Sequence, residues 1–96
     1  MIVTFGDAAS EDLFHGIESA RARRFPPEIV RPARRKLMVL HATVRLGDLR
    51  VPSSNRLEAL KGDRAGFHSI RVNEKWRIVF KWQDGNVHDA QLVDYH

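Results

Sequence analysis

The fold of this 96-residue chain is decided by residues 67–93, which read FHSIRVNEKWRIVFKWQDGNVHDAQLV. Large apolar side chains occupy every second position over residues 75–82, at 76, 78, 80 and 82, and the same period of two is seen over 67–72 and returns over 87–93. Such alternation is typical of half-buried strands. Residues 83–86, Gln-Asp-Gly-Asn, have the Asp-Gly signal of a hairpin connection. These residues therefore predict three antiparallel strands in a meander.

The alternation also assigns a face to each side chain of the central strand. Trp76 and Phe80 point to one face, which the rest of the chain must cover. Arg77 and Lys81 then point to the opposite face, and Arg71 joins them from the neighbouring strand. We expect this face to be open and lined by cations, as suits a phosphate backbone. Ordinary solvent-side residues would give the same pattern, although clustered like charges are mildly destabilising.

Two helices are expected before the strands. The first fits residues 8–18 with Asp7 as its N-cap, and its predicted buried stripe is Leu13, Phe14 and Ile17. The second has apolar residues at helical spacing, namely Val30, Ala33, Leu37, Leu40 and Val44. Gly47 would supply its stop. Pro32 suits only a first turn, so this helix should either begin near Arg31 or be kinked there.

Helices followed by a strand meander predict an α+β fold. We expect a short N-terminal strand at residues 2–5 and two helices packed on one face of an antiparallel sheet. Residues 48–56 are expected to form an extended loop. The length allows one domain, so residues 1–96 are interpreted as a single unit.

The charge is segregated along the chain. All 16 Lys and Arg lie in residues 21–81, together with only five of the 12 Asp and Glu. A modest net charge of +4 therefore conceals a strongly basic middle, which indicates a polyanionic partner such as nucleic acid. The alternative is an arginine-rich, solvated helix face. Lys61 and Arg64 lie in the loop that leads to the first predicted strand.

Several classes of site are excluded or not expected. The absence of cysteine excludes disulfides, zinc-thiolate sites and thiol catalysis. The five histidines have no metal-ligand spacing, so we expect neither a metal nor a cofactor. No apolar run is long enough for a membrane span, and the first residues lack the pattern of a signal peptide. We expect a cytoplasmic protein.

The chain ends in Asp94, Tyr95 and His96. This triplet supplies an acceptor, a phenol and an imidazole that exchanges protons near pH 7. A terminal histidine is more often an ordinary surface residue, so the triplet alone does not establish catalysis.

Residues 55–80 and the closing residues 93–96 resemble the HigB toxins of the RelE/ParE superfamily, most closely the GraT-like branch. The matching pieces are Leu-Lys-Gly-Asp at 60–63, Ser-Ile-Arg-Val-Asn at 69–73, the Trp-Arg pair, the Asp-Gly hairpin and the terminal Asp-Tyr-His. The helical part matches more loosely, so the resemblance spans nearly the whole chain.

This resemblance implies a bacterial type II toxin that cleaves mRNA in the ribosomal A site without a metal. The ribose 2′-OH would attack its own adjacent phosphate. The implied partners are the ribosome, mRNA and a helix-turn-helix antitoxin of the HigA/GraA kind, through which alone the toxin would meet operator DNA.

By match to the family pattern, the implied active-site residues are Lys61, Arg77, Asp94, Tyr95 and His96. The family often has a histidine where this chain has Glu58, so the base remains open between Glu58, Tyr95 and His96. Arg71, Arg64 and Lys81 would bind RNA. Arg34 and Arg35 are expected to lie away from the sheet cleft, where they would meet rRNA phosphates or acidic patches of the antitoxin.

The residues leave two alternative functions open. The ParE branch shares this fold but inhibits DNA gyrase, and the terminal triplet with the Lys61 and Arg77 pair argues against it. The second rival is a non-catalytic nucleic-acid-binding module that serves as a regulatory partner of the antitoxin.

Overall fold

A computed structural model describes residues 1–94 of the chain. Its strands are β1 (Glu58–Ala59), β2 (Phe67–Arg71), β3 (Trp76–Gln83) and β4 (Asn86–Asp94). They form one antiparallel sheet in the order β1-β2-β3-β4. Asp84 and Gly85 connect β3 to β4 with φ values of 53° and 77°. Positive φ at both positions is the geometry of a two-residue hairpin turn, so the predicted hairpin is confirmed.

Each edge of the sheet is formed by a short segment. β1 pairs with β2, with Glu58 opposite Ser69. The sequence did not predict β1, because a two-residue strand is too short to show an alternation. At the other edge, residues 2–5 run parallel to β4 and form isolated bridges to Val87 and Ala90. The predicted N-terminal strand therefore occurs as two bridges beside β4.

The first helix, α1 (Ala8–His15), ends earlier than predicted. Asp7 is its N-cap, and the Asp7 Oδ1 accepts a hydrogen bond from the backbone N of Ser10 at 2.7 Å. Gly16 follows the helix with φ 72°, a conformation that ends helices and that glycine adopts without strain. Ile17 consequently lies outside the helix and is exposed, so its predicted burial is wrong. The rest of the predicted stripe packs in or against the core, namely Leu13 and Phe14.

The second helix, α2 (Pro27–Ala42), begins earlier in the chain than predicted, and it also ends earlier. Pro27 occupies the first turn, where its missing N–H costs nothing. Pro32 lies inside the helix, so the predicted start next to it is wrong. The backbone becomes extended at Thr43, and Val44 is exposed instead of buried. The buried residues of α2 are Ile29, Ala33, Leu37 and Leu40.

Residues 46–55 form two short 3₁₀ turns and not the predicted extended loop. Leu49 is buried in the core. The side-chain amide of Asn55 donates to the backbone carbonyls of Leu49 at 3.1 Å and Val51 at 3.4 Å. The Asn55 Oδ1 accepts a hydrogen bond from Lys36 Nζ of α2. This segment is therefore held to α2 by a buried amide.

The helices cover one face of the sheet. Ile78 opposes Ile70 on one side and Leu92 on the other, and all three are buried in the core cluster with residues of both helices. Trp76 packs edge-on against Phe25, with ring centroids 5.7 Å apart. The predicted α+β architecture is confirmed. No helix within residues 1–94 is long and apolar enough to cross a membrane.

Candidate active site

The guanidinium of Arg77 is buried and held from several directions. The residue is 7% exposed. Its Nε donates to Ser69 Oγ at 2.9 Å, and its Nη2 donates to the backbone carbonyl of Arg56 at 2.5 Å. Its Nη1 lies 3.5 Å from Glu58 Oε1. Because a buried charge is costly without such partners, these contacts hold the guanidinium in one orientation.

Strand pairing brings these residues together. Glu58 opposes Ser69 across β1 and β2, and Arg71 opposes Arg77 across β2 and β3. Residues directly opposite each other in antiparallel strands share a face of the sheet. Arg56 has φ 47°, which is uncommon for a residue other than glycine. From this position its carbonyl accepts the hydrogen bond from Arg77.

A groove of about 300 Å³ lies over these side chains. It is lined by Arg56, Glu58, Arg71, Asn73, Glu74 and Arg77. Two arginines directly opposite each other repel, and the Glu58 carboxylate partly offsets their charge. The groove therefore combines guanidinium donors for an anion with carboxylates that accept protons or hydrogen bonds.

The sheet face that carries Arg77 is less open than predicted. Arg77 and Val79 are both buried, although the alternation placed them on the solvent side. The unpredicted strand β1 brings Glu58 to this face, and a buried arginine requires such partners. Lys81 is exposed as expected, and its Nζ lies 5.1 Å from the centroid of the Phe67 ring, a cation–π distance.

Lys61 and Arg64 lie outside the groove. Both are exposed at the short 3₁₀ turn that connects β1 to β2. Lys81, at the other end of β3 from Arg77, also does not line the groove. The structure thus brings Glu58, Arg71 and Arg77 together but leaves these three lysine and arginine residues at the periphery.

Asp94 ends the described chain near the groove but on the other face of the sheet. It opposes Trp76, and Trp76 shares the helix-packed face with Ile78. Asp94 is exposed and is not among the residues that line the groove. Tyr95 and His96, the other two residues of the predicted triplet, lie outside the described residues.

Arg34 and Arg35 are consecutive in α2 but lie next to different grooves. Arg35 lines a second groove together with Arg71. Arg34 lines a mainly apolar groove between α1 and α2 together with Ile17. Consecutive residues of a helix point about 100° apart, which accounts for the difference. Neither arginine lines the groove over Arg77, but the groove beside Arg35 shares Arg71 with it.

The sequence did not single out four residues at this site, namely Arg56, Ser69, Asn73 and Glu74. Ser69 could have been found, because the alternation places it on the same face as Arg71. Arg56 could not, because it offers its backbone carbonyl to Arg77, and its own side-chain type is irrelevant to that bond.

The groups with shifted pKa values lie away from the groove, in an ion pair between Asp12 of α1 and Arg21, which follows the helix. Arg21 Nε donates to Asp12 Oδ2 at 2.6 Å, and the Ser19 hydroxyl donates to the same oxygen at 2.7 Å. The hydrogen bond from Arg21, and then that from Ser19, lowers the pKa of the Asp12 carboxyl below its usual value. The same bond raises the pKa of Arg21. This pair joins α1 to the segment before α2 and so has a structural role.

Comparison with known proteins identifies close relatives of the chain. A family model described as the RelE-like toxin of the type II toxin-antitoxin system HigB matches residues 4–96. Toxin HigB-1 of Vibrio cholerae is 39% identical over 85 residues, which are 88% of this chain and 87% of that protein. Endoribonuclease HigB of Proteus vulgaris is 34% identical over 61 residues, which are 64% of this chain and 65% of that protein.

Solved structures of toxins share the fold. YafQ from E. coli superposes with a TM-score of 0.56 at 16% identity, covering 98% of this chain and 93% of YafQ. The heterotetrameric YoeB-YefM toxin-antitoxin complex from Staphylococcus aureus contains a chain that matches with a TM-score of 0.54 at 15% identity, covering 100% of this chain and 98% of that one. The narrower resemblance to the GraT-like branch stays a prediction. Because the family model matches residues 4–96, and the Vibrio cholerae relative is 39% identical over 88% of this chain, the chain belongs to the HigB family of RelE-like toxins of type II toxin-antitoxin systems.

Proposed function

We propose that this HigB toxin is an endoribonuclease that cuts mRNA in the ribosomal A site without a metal. The Proteus vulgaris relative is named Endoribonuclease HigB, which supports RNA as the substrate class. In the proposed reaction the ribose 2′-oxygen forms a bond to the adjacent phosphorus, and the bond from phosphorus to the 5′-oxygen breaks. The 2′-OH gives up a proton and the departing 5′-oxygen takes one up, leaving a 2′,3′-cyclic phosphate and a 5′-OH.

The observation that carries this proposal is the fixed guanidinium of Arg77. Negative charge builds on the phosphoryl oxygens as the 2′-oxygen attacks. A donor that is already oriented stabilises this charge without reorganising during the reaction. Ser69 and the Arg56 carbonyl hold Arg77 in this way, and Arg71 adds a second guanidinium directly opposite. The groove therefore offers two guanidinium groups to a phosphate whose negative charge increases during the reaction.

We assign proton transfer to the carboxylate of Glu58 and the imidazole of His96. The Glu58 carboxylate is proposed to accept the proton of the 2′-OH, and its proximity to Arg77 Nη1 supports this role. His96 is the alternative base, or the acid that protonates the 5′-oxygen. Tyr95 is proposed to stack on a base. Asp94 ends at the same end of the sheet as the groove, and it is proposed to orient His96 or to bind a sugar hydroxyl.

The cations around the groove are proposed to hold RNA in place. Lys61, which follows β1, would add positive charge near the scissile phosphate. Arg64 and Lys81 would contact the backbone of the mRNA or the rRNA. Arg34 would contact rRNA or the antitoxin. Such contacts steer an anion and position it, whereas the buried Arg77 acts on the reacting phosphate.

The cellular partners follow from the toxin-antitoxin family. We propose a helix-turn-helix antitoxin of the HigA/GraA kind, a ribosome carrying mRNA, and contact with operator DNA only through the antitoxin. The family assignment, and the likeness to a chain solved within a YoeB-YefM complex, support an antitoxin partner. Action on translating ribosomes would place the toxin in the bacterial cytoplasm.

The test is to map mRNA 5′ ends after brief expression of the toxin. Codon-registered cuts are expected for the wild type, and none for Arg77→Met or His96→Ala. Lys75→Ala is the matched control, because Lys75 is an exposed cation in the turn before β3 and lies outside the groove. Purified toxin is stripped of bound transition metals with EDTA, separated from the EDTA, and then incubated with programmed ribosomes in magnesium buffer and with free mRNA. Cleavage on ribosomes by the stripped toxin, at the rate of the untreated toxin, is expected.

Four outcomes would overturn parts of this proposal. Intact mRNA together with inhibited DNA supercoiling would favour gyrase inhibition. Growth without arrest, and without cuts, would favour a regulatory binding module. Equal cleavage of free mRNA would remove the ribosome from the mechanism. Loss of cleavage by the stripped toxin that is restored by adding back a transition-metal ion would remove metal independence.

A further inference from the structure

A second groove adjoins the candidate active site. Its lining residues are Pro32, Arg35, Lys36, Ser54, Arg71, Val72 and Asn73. Arg71 and Asn73 line both grooves, so the groove over the sheet and the groove beside α2 adjoin at these two residues. A strand bound over Arg77 can therefore continue across Arg71 toward Arg35 without leaving the surface.

The second groove differs from the first in its charge. The first contains the carboxylates of Glu58 and Glu74, whereas the lining of the second contains cations and no acid among the described residues. A site that performs proton transfer needs a group that accepts protons, and a site that only holds a phosphate needs donors. The lining of the second groove thus suits anion binding without chemistry.

The cations of this groove are positioned by the fold. Lys36 is half-buried, and its Nζ donates to Oδ1 of the buried Asn55, so its ammonium stays at the groove wall. An ammonium has three N–H groups, which leaves donors for a second acceptor. Arg35 is exposed on the next position of α2, and the half-buried Arg71 lies between the two grooves.

We propose that this groove binds a phosphate of the mRNA strand next to the scissile one, with Arg35 and Lys36 as its ligands and Arg71 shared between the two phosphates. This rests on the proposed endoribonuclease function and assigns Arg35 to mRNA, not to rRNA or the antitoxin. The continuity with the Arg77 groove carries the choice of ligand, because successive phosphates of one strand must follow one path. Arg34, which lies beside the other groove, takes no part.

The test uses a short single-stranded RNA that is 2′-O-methylated throughout and so cannot be cut. A single methylphosphonate replaces one phosphate at a time along the strand, which removes one negative charge at each position. Binding to the purified toxin is measured by fluorescence anisotropy at several salt concentrations. The variants are Arg35→Ala and the matched control Arg34→Ala, which removes the same charge from the adjacent helix position.

Loss of one phosphate contact reduces the salt slope of log K by about 0.7 on single-stranded RNA. Extrapolated from 1 M to 0.15 M salt, this slope corresponds to about fourfold weaker binding. We expect Arg35→Ala to show this loss and Arg34→Ala to behave as wild type. We also expect one methylphosphonate position that weakens the wild type and no longer weakens Arg35→Ala.

Equal salt slopes for the two variants would overturn the inference, as would a wild type that binds without salt dependence. An Arg35→Ala variant that loses affinity only for the antitoxin would reassign the groove to a protein partner. Because Arg35 is exposed, unchanged thermal melting of the variant is expected to confirm intact folding. The binding test needs no cleavage, so the two proposals can fail separately. Codon-registered cuts, together with equal RNA binding by Arg35→Ala and Arg34→Ala, would reject this inference alone. The absence of cuts would reject the proposed function.

Discussion

Ser69→Ala tests whether the buried hold on Arg77 matters for folding and for cleavage. Ser69 is fully buried, and its Oγ accepts the hydrogen bond from Arg77 Nε at 2.9 Å. The substitution removes this acceptor, and it leaves the Arg77 charge, the Arg56 carbonyl and the Glu58 carboxylate in place. The perturbation therefore changes the orientation of the guanidinium and not the composition of the groove.

The expected magnitude follows from the burial of both partners. A hydrogen bond to a charged group contributes about 1.5–3 kcal/mol, and we expect the free energy of unfolding of Ser69→Ala to fall by this amount. For a chain of this length the melting temperature would fall by about 6–24 °C. If the same loss of orientation reached the transition state, the cleavage rate would fall by about 10- to 150-fold, because 1.36 kcal/mol corresponds to tenfold. The other contacts of Arg77, among them those to the Arg56 carbonyl and Glu58, favour the lower end.

The assays are urea unfolding of the purified toxin and single-turnover cleavage on programmed ribosomes. Ser53→Ala, an exposed serine in a 3₁₀ turn, is the matched control and is expected to change stability by less than about 0.5 kcal/mol. In the Arg77→Met background, Ser69→Ala should lose most of its effect, because its partner is gone. Wild-type stability and wild-type cleavage of Ser69→Ala would refute the reasoning.

Three further substitutions test other parts of the structure. Asn55→Ala removes the buried amide that donates to two backbone carbonyls and accepts from Lys36. Urea unfolding should show a free energy of unfolding that is lower by about 2–4 kcal/mol. A decrease of less than about 1 kcal/mol would contradict these contacts. Leu37→Ala empties a fully buried core position and should lower the free energy of unfolding by about 2–5 kcal/mol; an effect no larger than that of a surface substitution would contradict its place in the core. Asp12→Asn should be less stable than the wild type at neutral pH. Because Arg21 lowers the pKa of Asp12 in the folded protein, the unfolded chain takes up the proton first, so this stabilisation is complete above the usual carboxyl pKa and is lost as pH falls through the lowered one. The stability difference should therefore shrink below about pH 4, and a pH-independent difference would argue against the pair.

Local patterns predicted the parts of the fold that local interactions decide. The alternation over residues 75–82 and the Asp-Gly signal gave the right strands and turn, because side-chain direction along a strand and positive φ at a turn are properties of adjacent residues. The same patterns failed at Ile17 and Val44. There the apolar spacing continued, but Gly16 and Thr43 had already ended the helices, so the two side chains remained in solvent.

The candidate site was predicted in part. Arg71, Arg77 and Glu58 were named from the chain, and the structure brings these three to one groove. The contribution of Arg56 was not foreseeable, since a backbone carbonyl carries no signature in the residue type. The proposed roles of Asp94, Tyr95 and His96 stay predictions that the mapping of mRNA 5′ ends addresses.

The sequence by itself determined the α+β class, the order of helices and strands, the basic middle and the family pattern around Arg77, because each of these is written in residues that are close together in the chain. Only the tertiary structure decided that Arg77 is buried and that Arg35, but not Arg34, lines the groove that adjoins the Arg77 groove. The backbone carbonyl that accepts from Arg77, that of Arg56, is 21 residues away in the chain. The physical reason is that periodicity states which side of an element a residue occupies, whereas its burial and its partners depend on which distant segment packs against that side.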